Sequence, residues 1–172
     1  MSFTRADDLL GAWRLASAVV FDDGERRDEF GPNPEGYLCY HPAGIVSATL
    51  GASARPPVSA GDPQSATGED YERIARHFIA YAGPFSVDVG NGTVTHHVDV
   101  SLFPNWQGHD QVRHVTIEGR RLSIIASDRT AADGRTFHSE LTWPKVLAHP
   151  RSARIWSCPY RTRTDRASNS NR

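Results

Sequence analysis

The sequence predicts an all-β fold, a closed antiparallel barrel of about eight or nine strands with one amphipathic helix across an opening. Three observations favour this fold class. Short apolar stretches recur between turn signals such as "DDG", "HPAG", "GNG" and "EGR". Helical periodicity is confined to one segment, near Gly68–Ala82. A long series of hairpins usually closes on itself, because closure removes exposed strand edges.

The composition is that of an ordinary globular domain of 172 residues, with 38% hydrophobic and 23% charged residues. No apolar run approaches the roughly 20 residues of a membrane helix, and the first residues lack the apolar core of a signal peptide. Cys39 and Cys158 make neither a disulfide framework nor a metal-ligand spacing. We therefore expect a cytoplasmic protein that contacts no membrane.

Charge divides the chain into two parts. From Pro144 onward there are seven basic residues and one acidic residue, although the whole chain has a net charge of −1. The preceding residues are therefore net acidic, which argues against a core that binds nucleic acid. We expect a barrel domain over residues 1–143 and a basic, disordered tail over residues 144–172, with an anion-binding tail as the alternative.

Three strands are expected before the helix. The segment "TRADDLL" can form a capped helical turn, while "DDG" and the proline-rich "FGPNPEG" mark connections. The expected strands are Trp13–Phe21, Gly36–Tyr40 and Ile45–Leu50.

The helix is expected in "EDYERIARHFIAYAG", where Gly83 ends the apolar stripe. It should cover an opening of the barrel through Tyr71, Ile74, Phe78 and Ile79. Hairpin connections at "GNG", "PNWQG", "EGR" and "AADG" follow it. They separate the expected strands Pro84–Val89, Thr93–Phe103, His109–Ile117, Leu122–Ser127 and Arg135–Trp143.

Several motifs together resemble a known family. "GAW", which is Gly11, Ala12 and Trp13, is similar to the G-x-W signature of lipocalins and other calycins. Together with "GPNPEGYLCYHPAG", "AYAGPFSVD", "VTHHVDVSLFPNWQGHDQVR" and a closing "LTW", it resembles the bacterial and fungal lipocalin-like domain family from about Leu9 to Trp143. The basic tail departs from that pattern. The resemblance implies a small calycin-type barrel with an interior ligand cavity, and related barrels serve as carriers or as cofactor-free cyclases and isomerases.

Strand alternation predicts which histidines and charged residues enter the barrel. In "TVTHHVDVSL" the apolar register places His96 inward with Val94, Val98, Val100 and Leu102, and it places His97 and Asp99 outward. Adjacent histidines on opposite faces cannot chelate one ion, so we expect no metal site. In "HDQVRHVTI" the inward residues are Gln111, Arg113, Val115 and Ile117, and His114 points outward.

Few polar residues are predicted to face inward, and none of them is a carboxylate that could neutralise Arg113. Two interpretations of Arg113 follow. Either it stacks on Trp13 or Trp143 at the closed end of the barrel, or it lines a cavity and binds an anionic or enolate-like oxygen. For His96 alone, an ordinary core histidine is the simpler interpretation. The inward polar set is Ser17, Tyr40, His96, Gln111, Arg113 and Ser139.

The first functional hypothesis is a barrel that binds a small apolar or polyketide-like metabolite, with no cofactor and with an oligomeric state left open. The alternative is a cofactor-free cyclase, isomerase or dehydratase of secondary metabolism in the same cavity. An interaction module that uses the barrel mouth and the tail is a third possibility. The candidate catalytic residues are His96, Arg113 and Tyr40, and the candidate ligand-binding residues are Trp13, Ser17, Gln111, Trp106, Ser139 and Trp143.

Overall fold

A computed structural model describes residues 5–130 and 133–147, in which twelve strands form one antiparallel sheet. One α-helix, α1 (Gly68–Ala75), lies between the fifth and sixth strands, and short 3-10 turns occupy Ala6–Leu9, Pro63–Ser65 and Pro104–Trp106. The strands are β1 (Gly11–Arg14), β2 (Ser17–Asp22), β3 (Glu25–Asp28), β4 (Pro34–His41), β5 (Ile45–Ala52), β6 (Phe78–Asp88), β7 (Thr93–His97), β8 (Val100–Ser101), β9 (Asp110–Glu118), β10 (Arg121–Ala126), β11 (Arg129–Thr130) and β12 (Thr136–Pro144).

The sheet is curled and open rather than closed. Its main path runs β1-β4-β5-β6-β7-β9-β10-β12-β2-β3, with β8 paired to β6 and β11 paired to β12. The all-β antiparallel class is therefore as predicted, but the expected closed barrel of eight or nine strands is wrong. The path has two ends, at β1 and β3, and it contains ten strands.

The stretch from β1 to β2 explains part of the larger strand count. The sequence predicts one strand there, but the chain changes partners at Leu15 and Ala16. The Leu15 amide donates to the Gly36 carbonyl at 3.0 Å, whereas the Ala16 amide donates to the Thr142 carbonyl at 2.9 Å. β1 therefore pairs with β4, and β2 pairs with β12.

Helix α1 is half as long as the periodicity predicts. Thr67 caps it in a reciprocal pair with Asp70, and it ends at Ala75, three residues before β6 begins. Tyr71 is 49% exposed, so the expected cover over a barrel opening is also wrong. Within the described ranges, no helix is both long and apolar enough to span a membrane.

The second half of the expected helix belongs to β6 because its apolar residues also fit a period of two. Ile79 pairs with Leu50 of β5, and Phe85 pairs with His96 of β7. The residues of β6 thus satisfy their backbone groups in ladders on both sides, which a helix could not offer to β5 or β7. Tertiary pairing therefore overrides the helical pattern of this segment.

The expected strand Thr93–Phe103 breaks after His97. Val100 and Leu102 were predicted to face inward, but they are 60% and 42% exposed. The chain bends across Gly83, where a Cβ atom would collide with the His97 carbonyl oxygen and lie 2.8 Å from the Asp99 amide nitrogen. Beyond the bend the short β8 pairs with β6, so the original facing is lost.

Trp13 anchors one end of the core. Its ring is fully buried, and its Nε1 donates to the Leu9 carbonyl at 2.8 Å. Lys145 lies over that ring, with Nζ 4.8 Å from the ring centroid and 3.3 Å from the Asp8 carbonyl. The cation that covers Trp13 is therefore Lys145, and the expected stacking of Arg113 on Trp13 is not found in the described chain.

Hydrogen bonding of the sheet continues to the edge of the described residues. β12 ends at Pro144, and the Val146 amide still donates to the Ala12 carbonyl at 2.8 Å. From residue 148 onward, the basic tail expected over residues 144–172 lies outside the described residues.

Candidate functional site

A cavity lies inside the curl of the sheet, with about 690 Å³ of empty space when its open mouth is included. Most of its wall is apolar, formed by side chains such as Leu50, Ile79, Ile124 and Leu141. The polar part of the wall is smaller than the apolar part. The polar and aromatic lining residues are Glu29, Tyr81, His96, Trp106, Arg113, Arg129, Ser139 and Trp143.

His96 lies between two tyrosine hydroxyls. Its Nε2 is 2.8 Å from Tyr40 Oη, and its Nδ1 is 2.9 Å from Tyr81 Oη. The His96 side chain is 1% exposed. Burial, helped by the positive charge of Arg113 and by His97, lowers the pKa of His96 from 6.5 to about 3. The imidazole is therefore neutral at physiological pH.

The two tyrosines occupy different depths. Tyr40 is buried behind His96 and is not part of the cavity wall, whereas Tyr81 lines the cavity. Burial raises the pKa of both hydroxyls, that of Tyr40 well above its usual value. Both tyrosines therefore carry their protons at neutral pH. The three side chains form one continuous hydrogen-bonded row from the core to the cavity.

Arg113 lines the cavity, in the inward register that strand alternation predicts. Its Nη2 donates to Gln111 Oε1 at 3.1 Å, and its Nη1 donates to the Val112 carbonyl at 3.1 Å. Gln111 supports the guanidinium and does not itself line the cavity. The structure therefore places the side chain of Arg113 at the cavity wall.

Glu29 corrects the expectation that no carboxylate faces inward. It follows β3, lines the cavity and lies within hydrogen-bonding range of the Ser139 hydroxyl. Burial raises the pKa of Glu29, and the nearby charges of Arg129, Arg27 and Arg113 oppose that rise. The cavity therefore holds a carboxyl group together with two arginines, Arg113 and Arg129.

Two tryptophans add to the wall. Trp106 comes from the 3-10 turn and meets the Tyr81 ring edge-on, with centroids 5.7 Å apart. Trp143 is 2% exposed, and its Nε1–H has no hydrogen-bond partner in the described chain. A buried donor without an acceptor is uncommon in folded proteins.

The structure brings together some of the predicted site residues and separates others. His96, Arg113, Trp106, Ser139 and Trp143 line the cavity. Four do not, because Tyr40 lies behind His96, Gln111 lies beside Arg113, Trp13 belongs to the core, and Ser17 is half-buried in β2. The cavity wall also contains three residues that the sequence patterns do not predict: Tyr81, Glu29 and Arg129.

A second polar row lies on the outer face of the sheet. Ser86 Oγ is 2.9 Å from His97 Nε2, and His97 Nδ1 is 2.7 Å from Asp110 Oδ1. The order of groups is that of a serine-hydrolase triad, but the row faces solvent and is not part of the wall of the cavity described above. We assign it the role of linking β6, β7 and β9.

Metal ligation finds no support in the described residues. In the ranges 5–130 and 133–147, no group of three or more histidine, cysteine, aspartate or glutamate side chains is placed to hold an ion.

Comparison with known proteins agrees with this architecture. The model of the lipocalin-like domain family matches residues 10–146. The chain is also similar to the 4'-hydroxy-3'-methoxypropiophenone carrier protein ppsC of Aspergillus oryzae, with 36% identity over 88 residues that cover 48% of this chain and 79% of that protein. The cavity inside a curled antiparallel sheet and the family match over most of the chain lead to one conclusion: this protein belongs to the lipocalin-like domain family.

Proposed function

We propose that the protein binds one small, mostly apolar aromatic metabolite that carries one or two oxygen atoms. The apolar wall favours a ring or a short alkyl chain, since cavities of this kind bind ligands mainly through buried apolar surface. The few polar groups would then set the orientation of the ligand.

The observation that carries the proposal is the unpartnered Nε1–H of Trp143. Arg113, which has donors only, lines the same cavity. A carbonyl, phenol or carboxylate oxygen of a ligand would satisfy such donors, and an unsatisfied buried donor costs about 1–3 kcal/mol. The site therefore favours a ligand with an accepting oxygen over a pure hydrocarbon.

The similar Aspergillus protein bears the name of a carrier for an aryl ketone with one hydroxyl and one methoxy group. That ligand combines an aromatic ring with accepting oxygens, which is the combination that this cavity favours. We extend the same chemistry, an oxygenated aromatic or polyketide-like molecule, to the protein described here.

The test is a ligand screen by thermal shift and by quenching of tryptophan fluorescence. The panel contains 4'-hydroxy-3'-methoxypropiophenone, its deoxygenated counterpart propylbenzene, aromatic polyketides, fatty acids and terpenoids. We expect saturable binding of oxygenated aromatics, and we expect Trp143→Phe to weaken the ketone more than propylbenzene. Equal effects on both compounds, or binding of fatty acids alone, would contradict the proposal.

A second candidate function, cofactor-free isomerisation, cyclisation or dehydration, is favoured by one observation. Tyr81, His96 and Tyr40 form a polar network in which His96 and Tyr40 are buried and Tyr81 reaches the cavity wall. Passive binding requires one donor at this position, whereas acid–base chemistry benefits from a donor that a network holds in a fixed orientation.

A further inference from the structure

Tyr81 presents a free O–H to the cavity because of the order of hydrogen bonds behind it. A neutral imidazole has one donor nitrogen and one acceptor nitrogen. In the described chain, His96 Nε2 is the hydrogen-bond partner of the buried Tyr40 hydroxyl, so Tyr40 must donate to it to keep its proton satisfied. His96 Nδ1–H then donates to Tyr81 Oη.

The acceptor for the hydroxyl proton of Tyr81 must therefore come from the cavity. Arg113 lies within hydrogen-bonding range of the same hydroxyl, but it is a donor and cannot accept that proton. Tyr81 Oη thus receives hydrogen bonds from behind, which strengthens its own O–H as a donor to a ligand oxygen. This arrangement is suited to an oxygen that gains negative charge.

A carboxyl group, that of Glu29, lines the same cavity. Glu29 contacts Ser139 of β12, whereas Tyr81 belongs to β6, and β7, β9 and β10 lie between those two strands in the sheet. Both side chains nevertheless line one cavity, and Arg113 of β9 interacts with each of them. A ligand that fills the cavity would therefore meet both a proton acceptor and a proton donor.

We propose that the cavity catalyses reversible proton transfer at the carbon next to a ketone of its ligand, with Glu29 as general base and Tyr81 as donor to the enolate oxygen. This inference rests on the proposed binding of an oxygenated aromatic molecule. The Glu29 carboxylate takes a proton from the carbon, the C–H electron pair forms the C=C bond, and the carbonyl π pair moves to oxygen. The protonated Glu29 then returns a proton to carbon, so that no oxidant or cofactor is consumed.

The surroundings of Glu29 agree with this role. Burial raises the pKa of its carboxyl group, which makes the carboxylate a stronger base. The positive charges of Arg129, Arg27 and Arg113 oppose this rise and favour the ionised carboxylate. Since the active form is the carboxylate, the rate should fall as the pH drops through that raised pKa. Arg113, beside Tyr81, would share the charge of the enolate.

The experiment measures hydrogen–deuterium exchange at the CH2 next to the carbonyl of 4'-hydroxy-3'-methoxypropiophenone in D2O by proton NMR. We expect the protein to accelerate exchange, Glu29→Gln to lower the acceleration ~10²-fold or more, and Tyr81→Phe to lower it ~10²–10³-fold. Glu35→Gln and Tyr37→Phe are the matched controls, because both side chains are exposed, lie on β4 and are not part of the cavity wall. Both controls should keep the parent rate.

Binding is measured on the same samples by fluorescence quenching, and the fold is checked by circular dichroism. Ketone binding without accelerated exchange, or exchange that survives in Glu29→Gln, overturns this inference and leaves the proposed function intact. Absence of binding by any oxygenated aromatic overturns both. If Tyr81→Phe does not fold, the comparison of Glu29→Gln with Glu35→Gln decides alone.

Discussion

Tyr40 and His96 lie 56 residues apart in the sequence and share a hydrogen bond of 2.8 Å inside the core. The bond joins β4 to β7, which are not neighbours in the sheet because β5 and β6 lie between them. It therefore spans the interior of the curl and ties two distant parts of the sheet together. The bond therefore stabilises the fold, and by holding the His96 ring in place it also helps to orient Tyr81.

Substitution Tyr40→Phe should lower the free energy of unfolding by about 1–3 kcal/mol, because it leaves His96 Nε2 buried without its partner. Urea denaturation followed by tryptophan fluorescence measures this change. The control is Tyr37→Phe, since Tyr37 lies on the same strand and is exposed. Equal stabilities of the two variants would show that the Tyr40–His96 bond contributes nothing.

Stability should decline as the pH falls below the unfolded-state pKa of His96. The folded-state pKa of His96 is about 3, lower than its ordinary 6.5, so the unfolded chain binds the proton first. The stabilisation is complete above pH 6.5 and is lost progressively down to about pH 3, with a slope of up to about 1.4 kcal/mol per pH unit.

Denaturation curves of the parent protein and of His96→Gln test this expectation. They are measured between roughly pH 4 and pH 7.5, a range that includes the pH at which an unperturbed histidine titrates. The variant should lose this part of the pH dependence, whereas His114→Gln, on the outer face of β9, should keep it. Parallel curves for the parent and His96→Gln would contradict the assignment.

Substitution Arg113→Met should weaken binding of an oxygenated aromatic ~10- to 100-fold, because a charged donor contributes roughly 1.5–3 kcal/mol. The melting temperature should change by only a few degrees, because the cation that covers Trp13 in the core is Lys145 and not Arg113. Titration calorimetry and thermal denaturation of one sample measure both quantities. His97→Ala should leave binding unchanged, and a large fall in melting temperature with unchanged affinity would instead make Arg113 a structural residue.

Substitution Lys145→Ala should have the opposite profile. Loss of the cation over Trp13 and of its bond to the Asp8 carbonyl should reduce the free energy of unfolding by about 1–2 kcal/mol. Ligand affinity should stay at the parent value, because Lys145 lies outside the cavity wall. Arg121→Ala is the control, because Arg121 is exposed and pairs with Pro144 at the end of β12. A loss of ligand affinity in Lys145→Ala would show that this end of the core belongs to the site.

Alternation along strands was enough to predict several inward side chains. His96 and Arg113 belong to strands with a clear apolar register, and a shift by one residue would have exposed every apolar residue of the strand. Alternation predicts the wrong face for Val100, because the bend across Gly83 depends on a close approach of two backbones. A local pattern carries no information about such an approach.

The sequence patterns do not predict Tyr81 and Glu29 as cavity residues, for two different reasons. Tyr81 lies in a segment that fits both the helical and the strand period, and only its pairing with β5 decides between them. Glu29 lies in a connection, where no period applies. Its position depends on the path of the chain after β3. Sequence patterns miss such residues because their positions depend on long-range packing and not on a strand register.

The change of partners at Leu15 and Ala16 also bears on how the chain acquires its shape during synthesis. β2 emerges early, but its ladder partner β12 is made only after all the intervening strands, with Ser17 facing Thr142. Contacts between such distant parts of a chain form slowly, because a long loop must close before they form. The ribosome must therefore release the whole segment from β2 to β12 before these two strands can pair. The cavity, whose wall includes residues of β12, is completed at the same late stage.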